Sequence, residues 1–367
     1  MRGTVVIAAG GTGGHFFPAE ALAAALGKKG YDVVLFTERR TGRKESGAFA
    51  TAEQHVFDIK GVVGRGAAAR MLSISLIVRA GIRARRLIRN IRPAAVFGFG
   101  GYSCVPAMLA CLSMPKRERP RLILHEGNAI LGRANRLLAR RVDIVATSYE
   151  TVAGLPRTAS TVLTGFPVRA DIENRAASPF PPLDGDLNIL VWGGSLGARV
   201  LADVVPAALA ALPDGLRRRL RVVQQARAED LDRVRSEYAR AGIRAETSTF
   251  LSGVGEHLQN SHLVIGRAGG SSVAEVAMVG RPAILVPLPI AASDEQFHNA
   301  ERVSGAGAGW TMRQADLDQA ALTTLVSRLL GDPDELARAA GRMSALRRRH
   351  AATALAELAD RHAEPVV

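Results

Sequence analysis

The chain has 367 residues, more than one hydrophobic core usually organises, so two domains are expected. Its two cysteines, Cys104 and Cys111, cannot form a disulfide framework, and neither lies in a spacing typical of a zinc site. The net charge is +14, and between Ile59 and Arg117 eleven Lys or Arg residues occur with no Asp or Glu, which predicts an anionic partner for this stretch.

Short β-branched runs alternate with longer segments rich in alanine and leucine along the whole chain. This alternation is typical of α/β layers built on parallel strands. The predicted strands are Val5–Ala9, Val33–Thr37, Ala94–Phe97, Leu122–His125, Ile144–Thr147 and Val162–Thr164 in the first half, and Ile189–Trp192, Arg221–Gln224, Thr247–Leu251, Leu263–Ile265 and Ala283–Val286 in the second. The proline-rich stretch from Ser178 to Asp186 separates the two sets and is predicted to be the hinge region.

The segment from Ala94 to Met114 carries no charged residue and is long enough to cross a bilayer. Three glycines, Gly98, Gly100 and Gly101, and Pro106 interrupt it. These breaks favour a strand, a glycine loop and a helix of a buried parallel-sheet unit over a transmembrane helix.

Each half of the chain opens with an apolar strand, a glycine loop and a helix. The loops are Gly10-Gly11-Thr12-Gly13-Gly14-His15 and Gly193-Gly194-Ser195-Leu196-Gly197. Two Rossmann-like domains follow, and because such sheets bind ligands at the carboxyl ends of their strands, we expect both loops to line a shared cleft. A glycine loop at a helix N-terminus can hold an anion, although glycine also serves simple tight turns.

Neither loop matches two common nucleotide motifs. Phe16 stands where Gly-x-Gly-x-x-Gly requires its third glycine, and no lysine follows as in a phosphate-binding loop. This disfavours an NAD-dependent dehydrogenase and a P-loop NTPase.

A third glycine loop, Gly266-Arg267-Ala268-Gly269-Gly270-Ser271-Ser272-Val273-Ala274-Glu275, follows the strand at Leu263–Ile265. Glu275 can accept hydrogen bonds from both hydroxyls of a ribose. Alternatively, it only complements the positive end of the helix dipole. The segment from Asp334 to Ala363 is predicted to be helical.

Taken together, these motifs resemble the MurG family of bacterial glycosyltransferases, and the resemblance spans nearly the whole chain. The matching segments are Gly10–His15 with Pro18, Gly98-Phe99-Gly100-Gly101-Tyr102, His125-Glu126-Gly127-Asn128, Pro167-Val168-Arg169, Gly193–Arg199, Arg267–Glu275, and Asp294-Glu295-Gln296 followed by Asn299-Ala300. Their order and spacing together make the resemblance specific.

The resemblance implies the GT-B fold, in which two Rossmann-like parallel-sheet domains face a central cleft. On this basis residues 1–166 are the acceptor- and membrane-associated domain and residues 167–340 the UDP-sugar-binding domain. Residues 341–367 are expected to form a C-terminal helix that packs back on the first domain.

The resemblance also implies the reaction. Members of the family transfer N-acetylglucosamine, with inversion, from UDP-N-acetylglucosamine to the muramoyl hydroxyl of a polyprenyl-diphosphate-linked muramoyl-pentapeptide, converting lipid I to lipid II in peptidoglycan synthesis. A related lipid glycosyltransferase and a UDP-sugar epimerase are the alternatives on the same architecture, since fold alone does not fix chemistry.

Residue roles follow from the matching positions. The resemblance places Ser195 on the diphosphate, Leu251 beside the uracil, Glu275 on the ribose, Gln296 on the sugar hydroxyls and Arg169 near the donor. The remaining implied donor contacts are Thr12, Gly13, Gly14, Asn128, Gly270, Ser271, Ser272, Val273 and Ala274.

The chain departs from the family pattern in two segments, Gly165–Arg169 and Arg267–Gly270. Phe166 stands where the family commonly has asparagine, and Ala268 where it commonly has serine.

His15 is the candidate general base, because histidine titrates near neutrality and ends the first glycine loop. Glu126 is the rival base, and a loop-capping role is the alternative for His15. Since no Asp-x-Asp occurs in a plausible metal-binding loop, helix N-termini and arginines are expected to stabilise the departing UDP without a metal or cofactor.

The segment from Arg70 to Arg92 is both cationic and apolar, which predicts a helix lying on an anionic membrane. The predicted membrane and acceptor surface consists of Arg70, Met71, Leu72, Ile74, Leu76, Ile77, Arg79, Arg83 and Arg86. Packing of its apolar side on the sheet is the alternative.

Nucleic acid is not expected as a partner, because no aromatic residue lies between Gly61 and Ile91 to stack on bases. The resemblance implies a peripheral protein at the cytoplasmic face of the bacterial inner membrane.

Overall fold

This computed structural model describes residues 2–10, 13–59, 67–176, 178–194, 197–289 and 294–360, with the side chains of residues 67–70 left out. The chain divides into two compact units. The first contains the residues up to Arg169 together with those from His350 onward, and the second contains Ala170 to Arg349.

The first unit is built on a seven-stranded parallel sheet in the order β3-β2-β1-β4-β5-β6-β7. Its strands are β1 (Thr4–Ala8), β2 (Asp32–Glu38), β3 (Glu53–Phe57), β4 (Ala95–Gly98), β5 (Arg121–Glu126), β6 (Ile144–Thr147) and β7 (Thr161–Leu163). Its helices are α1 (Gly13–Lys28), α2 (Ala67–Ile91), α3 (Gly101–Leu112), α4 (Arg133–Leu138) and, from the C-terminal part of the chain, α14 (Ala351–Glu357).

Helices cover both faces of this sheet, because side chains alternate between the faces along each strand. Val5 and Ile7 of β1 pack with helices α1 and α14, where Leu22 and Leu355 are buried. Val6 packs on the opposite face with helices α2, α3 and α4. The sheet is therefore the middle of three layers.

The second unit contains a six-stranded parallel sheet in the order β10-β9-β8-β11-β12-β13. Its strands are β8 (Leu187–Trp192), β9 (Leu220–Gln225), β10 (Arg244–Ser248), β11 (Leu263–Gly266), β12 (Ala283–Leu285) and β13 (Gly309–Thr311). Its helices are α5 (Ala170–Glu173), α6 (Arg199–Ala210), α7 (Asp214–Arg217), α8 (Leu231–Arg240), α9 (Val254–Asn260), α10 (Gly270–Val279), α11 (Glu295–Gly305), α12 (Gln319–Gly331) and α13 (Pro333–Ala345).

Both sheets have the strand order of a doubly wound nucleotide-binding domain, in which the first strand lies between the second and the fourth. The predicted fold class, two Rossmann-like parallel-sheet domains of the GT-B type, is confirmed. The apolar segment from Ala94 to Met114 forms β4 and α3, as the glycine breaks predicted. Among the described residues, no helix combines the length and apolar character needed to span a bilayer.

The sequence missed two strands and displaced a third. Strands β3 and β13 were not predicted, and the strand predicted at Thr247–Leu251 lies at Arg244–Ser248. All three are edge strands, and β3 and β10 carry polar residues that an apolar pattern does not detect.

The continuous helix predicted from Asp334 to Ala363 is wrong. Helix α13 ends at Ala345, and α14 begins at Ala351 after His350, whose φ of 61° lies in the left-handed region. The predicted segment 341–367 is thereby divided, because residues up to Arg349 belong to the second unit. The later part joins the first unit, where Lys29 lies 3.7 Å from Glu357.

The proline-rich stretch predicted as the hinge region belongs to the second unit, and the boundary falls at Arg169–Ala170 instead. The guanidinium of the buried Arg281 donates to the carbonyl of Pro179 at 2.8 Å. The ring of His262 donates through Nε2 to the carbonyl of Pro182 at 3.0 Å. These bonds fix the stretch to the second unit, so prolines here mark a packed segment.

Candidate functional site

Each sheet has one position where neighbouring strands lead into helices on opposite faces, between β1 and β4 in the first unit and between β8 and β11 in the second. In open parallel sheets, ligands bind beyond the carboxyl ends of the strands at this position. Each predicted glycine loop directly follows one of the four strands β1, β4, β8 and β11. Each unit therefore carries its candidate site where the topology favours one.

In the first unit, the loops after β1 and β4 pack closely together. A Cβ at Gly10 would lie 3.0 Å from the Cβ of Ser103, a contact closer than side chains normally make. Gly100 and Gly101 have φ angles of 79° and 66°, which L side chains rarely adopt. The glycines thus allow two chain segments to meet where α1 and α3 begin.

His15 lies in the first turn of α1 and points at the loop after β4. Its Nε2 is 3.6 Å from the position that a Cβ on Gly100 would occupy, and its Cε1 is 3.5 Å from the corresponding position on Gly101. The side chain is half-buried, and burial lowers the pKa of the imidazole below its usual 6.5. A neutral imidazole at the carboxyl edge of the sheet can accept a proton.

Glu126 is buried, and four donors surround its carboxylate. Oε1 accepts from the backbone N–H and the side-chain amide of Asn128 at 3.0 and 3.1 Å. Oε2 accepts from the N–H of Gly132 at 2.8 Å and from Nδ2 of Asn135 at 2.9 Å. Burial raises the pKa of the carboxyl, while these hydrogen bonds oppose the rise. Because four bonds use the acceptor capacity of a carboxylate, Glu126 holds the segment 126–135 in place.

His125 lies beneath this loop, between two aromatic rings. Its ring centroid is 5.3 Å from that of Phe99 and 5.5 Å from that of Phe166. Its Nε2 donates to the carbonyl of Gly165 at 3.2 Å. Burial lowers the pKa of His125 to about 4, so the ring is neutral at physiological pH.

The departure at Phe166 has a structural explanation. The Phe166 ring is buried, and a Cβ on Gly127 would lie 2.6 Å from its Cε2 atom. The ring therefore occupies the space that the missing side chain of Gly127 leaves. In place of a polar contact, this position supplies apolar packing under the loop.

Asn135 is a site residue that the sequence did not single out. Its Nδ2 donates to Glu126 and to the carbonyl of His125, and its side chain lies beside Gly100. Its Oδ1 is buried and has no hydrogen-bond partner within the described residues. No local motif marks a helical asparagine, so only the folded structure could identify it.

In the second unit, the loop after β8 folds tightly on itself. A Cβ on Gly193 would lie 2.5 Å from the backbone nitrogen of Ala198, and Gly194 and Gly197 have φ angles of 80° and 65°. The N–H of Gly197 donates to the carbonyl of Gly194 at 3.1 Å. Ser195 lies outside the described residues, as Thr12 does in the first unit.

Strands β8 and β11 are paired up to their carboxyl ends, so the loops that follow them start side by side. A Cβ on Gly266 would lie 2.6 Å from the carbonyl oxygen of Trp192. The hydroxyl oxygen of Ser272, in the first turn of α10, is 3.8 Å from where a Cβ on Gly194 would stand. The N-terminal turn of α10 thus lies beside the glycine loop that leads from β8 to α6, and N–H groups at a helix N-terminus favour an anion.

The remaining predicted residues of α10 differ in exposure. Gly270, Ser271 and Ala274 are half-buried in its first turns, whereas Val273 and Glu275 are buried. The ribose contact implied for Glu275 stays a prediction.

Two polar side chains fix the loop after β11. The buried Arg267 donates to the carbonyls of Val286 and Pro287 at 3.1 and 3.2 Å, and to Gln314 at 2.8 Å. Asn299 donates through Nδ2 to the carbonyl of Ala268 at 3.0 Å. The Ala268 side chain is fully buried, so the departure at this position lies below the loop surface.

Gln296 and Leu251 lie at the carboxyl edge of the second sheet. The Oε1 of Gln296 accepts from the backbone N–H of Leu288 at 3.0 Å, which ties α11 to the segment after β12. Leu251 is buried, and its neighbour Phe250 exposes 69% of its surface. Sequence analysis missed Phe250, although an exposed aromatic ring is a suitable platform for a base.

Arg169 belongs to the first unit, and its guanidinium lies over the ring of Phe17 at 5.0 Å from the centroid. It therefore stands beside helix α1, in the same unit as His15 and Asn128. Gly13 and Gly14 are the first residues of that helix. In the described part of the chain, no group of three or more His, Cys, Asp and Glu side chains could hold a metal ion.

Helix α2 exposes an apolar stripe, which we define as Met71, Ile74, Val78 and Ile82. These side chains are between 49% and 72% exposed and follow one another at helical spacing. Leu76 and Ile77, which were also predicted to belong to the membrane and acceptor surface, are half-buried, and Ile77 packs against the core on this face of the sheet. Leu72 is exposed beside the stripe.

Arginines flank the stripe. Arg79, Arg83 and Arg86 are exposed, and Arg83 reaches back to the carbonyl of Val56 at 3.0 Å. The side chain of Arg70 lies outside the described part of the structure. Helices α3 and α4, on the same face of the sheet, expose Leu109 and Leu137.

Comparison with known proteins agrees with this geometry. Residues 5–147 match the model of the glycosyltransferase family 28 N-terminal domain, and residues 188–358 match that of the family 28 C-terminal domain. A relative from Gluconobacter oxydans, named UDP-N-acetylglucosamine–N-acetylmuramyl-(pentapeptide) pyrophosphoryl-undecaprenol N-acetylglucosamine transferase, is 50% identical over 98% of each chain.

Two further similarities extend over nearly the full length. A protein of the same name from Granulibacter bethesdensis is 46% identical over 96% of this chain and 92% of its own. The crystal structure of Acinetobacter baumannii MurG superimposes with a TM-score of 0.78 at 28% identity, covering 98% of this chain and 99% of that one.

Proposed function

Because the chain belongs to glycosyltransferase family 28, we propose that it transfers N-acetylglucosamine from UDP-N-acetylglucosamine to N-acetylmuramyl-(pentapeptide) pyrophosphoryl-undecaprenol. The product is the disaccharide-bearing lipid intermediate of peptidoglycan synthesis. The 50% identity to the Gluconobacter oxydans transferase over 98% of both chains supports these substrates.

One structural observation carries this proposal: both sheets place glycine loops at the position where open parallel sheets bind ligands. In the second unit, the N-terminal turn of α10 lies beside the glycine loop after β8, an arrangement suited to the diphosphate of the donor. The exposed ring of Phe250 suits its base. In the first unit, the corresponding position carries a histidine able to accept a proton.

His15 acts as the general base in the proposed mechanism. The muramyl hydroxyl oxygen attacks C1 of N-acetylglucosamine, and the hydroxyl proton passes to the neutral imidazole. The bond from C1 to the diphosphate oxygen breaks, and its electron pair leaves with UDP. Attack opposite the leaving group inverts the configuration at C1. Glu126 positions the loop of Asn128 and acts through it, because its carboxylate is already occupied by four donors.

The departing UDP is stabilised by the protein in place of a metal ion. Backbone N–H groups at the N-termini of α6 and α10 would stabilise the negative charge that develops on the diphosphate. The reaction is therefore proposed to need no metal and no other cofactor.

The stripe on α2 and its flanking arginines form the proposed contact with anionic membrane lipids. Helix α2 contains no acidic residue, and the stripe side chains Met71, Ile74, Val78 and Ile82 are exposed. Such a helix lies on a lipid surface with its apolar side in the acyl region and its cations at the headgroups. The protein would then encounter an acceptor anchored by a polyprenyl chain at the membrane surface.

We place this activity at the cytoplasmic face of the bacterial inner membrane, with the chain bound peripherally. A nucleotide-sugar donor and two free, buried cysteines are compatible with a reducing compartment. Nucleic acid is not a proposed partner.

The proposed function is tested by following UDP release from UDP-N-acetylglucosamine with and without the lipid acceptor. Release that requires the acceptor supports transfer. UDP release or sugar epimerisation at the same rate without acceptor would overturn it in favour of a hydrolase or an epimerase.

A further inference from the structure

Arg227 lies next to the diphosphate loop of the second unit, although no motif in the sequence marks it. It follows strand β9, the neighbour of β8, so it emerges at the carboxyl edge of the sheet. Its Cγ is 3.3 Å from the position that a Cβ on Gly197 would occupy. The missing side chain at Gly197 therefore lets the Arg227 stem pack directly on the loop.

The charge of Arg227 is available at the surface of this loop. Its side chain is 42% exposed, and its nearest acidic partner in the described structure, Glu229, is 4.0 Å away with 66% exposure. An exposed pair at this distance contributes little to stability. Packing alone does not require a guanidinium here, since the Arg227 side-chain atom closest to that position is Cγ of its aliphatic part.

Arg227 also stands close enough to Arg267 for their charges to interact. Burial lowers the pKa of Arg267, and the positive charge of Arg227 lowers it further. The Arg267 guanidinium is committed to the carbonyls of Val286 and Pro287 and to Gln314. Two like charges near one loop repel each other unless an anion lies between or beside them, and Arg227 is the more exposed of the two.

We propose that Arg227 binds the β-phosphate of the donor and of the product UDP, and that it stabilises the charge that develops there as the bond to C1 breaks. This inference rests on the proposed function, because it requires a nucleoside diphosphate at the loop after β8. The guanidinium exchanges its weak contact with Glu229 for phosphate oxygens, which it can hold with two parallel N–H groups.

Binding of three ligands that differ only in phosphate number tests the proposal. Calorimetric titration with uridine, UMP and UDP is compared between the full-length wild-type chain and Arg227→Gln. We expect Arg227→Gln to weaken UDP about ten- to a hundredfold, as loss of a charge-assisted hydrogen bond predicts, while uridine binds as before. Arg227→Lys should recover part of the lost affinity for UDP, because lysine restores the positive charge but not the two parallel N–H groups of the guanidinium.

Arg235→Gln is the matched control, since Arg235 is an exposed arginine of α8 that lies 3.6 Å from Asp232. It removes the same charge and should leave all three affinities unchanged. Equal weakening of uridine and UDP in Arg227→Gln, or no weakening of UDP, would overturn the role of Arg227. If the wild-type chain binds UDP no more tightly than uridine, the diphosphate site itself is absent and the proposed function fails instead.

Discussion

His15 has the surroundings that a general base needs at neutral pH. Burial lowers its pKa, so the imidazole is neutral and able to accept a proton down to a pH below 6.5. We expect kcat/KM to fall as the pH decreases, with a midpoint below 6.5, because protonation removes the base. His15→Ala should lower kcat by about 10²- to 10⁴-fold, as removal of a general base predicts, and should remove the acid limb of the profile.

Glu126→Gln provides the comparison for His15. It removes acceptor capacity from a carboxylate that holds Asn128, Gly132 and Asn135, so turnover should fall through disorder of the loop. Since the base is still present, the acid limb should keep its midpoint. An unchanged rate in His15→Ala, or loss of the acid limb only in Glu126→Gln, would reverse the two assignments.

Gly127 and Phe166 are expected to depend on each other. Gly127→Ala places a Cβ 2.6 Å from the Phe166 ring, which should destabilise the protein by about 1–3 kcal/mol through overpacking. In a Phe166→Leu background, the same change should cost less, because the ring is gone. Urea unfolding of the four proteins measures this coupling, and an equal cost of Gly127→Ala in both backgrounds would contradict it.

At the scale of single elements, α2 makes the most specific prediction. Replacing Ile74, Val78 and Ile82 together by serine should reduce flotation with vesicles containing anionic lipid, because these exposed side chains form the stripe. Turnover of a short, water-soluble acceptor analogue should be unchanged. Leu346→Ser, an exposed apolar position of the second unit, serves as the control. Flotation of the triple variant equal to that of the wild type would exclude α2 as the membrane contact.

Prediction succeeded for the strands inside each sheet, whereas the strands that it missed or displaced all lie at sheet edges. Strands β1, β4, β8 and β11 are largely apolar runs that lead into glycine loops, and the sequence indicates them clearly. Strand β3, Glu53–Phe57, contains two polar residues and a histidine, and it forms because β2 offers its unpaired edge. Such pairing is a tertiary effect that no local pattern contains.

The C-terminal helix shows the same limitation. Apolar spacing continues from α13 into α14, so the sequence predicts one helix. The break at His350 directs Leu355 and Leu358 into the core of the first unit, beside α1. The driving force is burial against a distant part of the chain.

For the whole molecule, the sequence predicted the loops of the site better than its side chains. Glycine spacing located the loops, because close backbone approach and positive φ angles require glycine at Gly100, Gly193 and Gly266. The roles of Asn135, Phe250 and Arg227 depend on contacts or exposure that arise only after folding. The saturation of Glu126 by four donors was equally invisible in the sequence.

Independence from metal ions is a prediction for the reaction as a whole. If helix N-termini and arginines stabilise the leaving UDP, turnover with excess EDTA should equal turnover with magnesium. Steady-state rates measured separately with excess EDTA and with magnesium test this prediction. A loss of activity in EDTA that magnesium or manganese restores would show that a metal takes part.

The central claim is the identity of the transferred sugar and of its acceptor. The most direct measurement supplies the lipid-linked muramyl-pentapeptide with UDP-N-acetylglucosamine, UDP-N-acetylgalactosamine or UDP-glucose and determines the glycolipid product by mass spectrometry. We predict that only UDP-N-acetylglucosamine yields a disaccharide lipid, with one N-acetylglucosamine added per acceptor. Preferred transfer of another sugar, or transfer to a lipid without the muramyl-pentapeptide, would contradict the account, and Phe166 and Ala268 would be the first positions to examine.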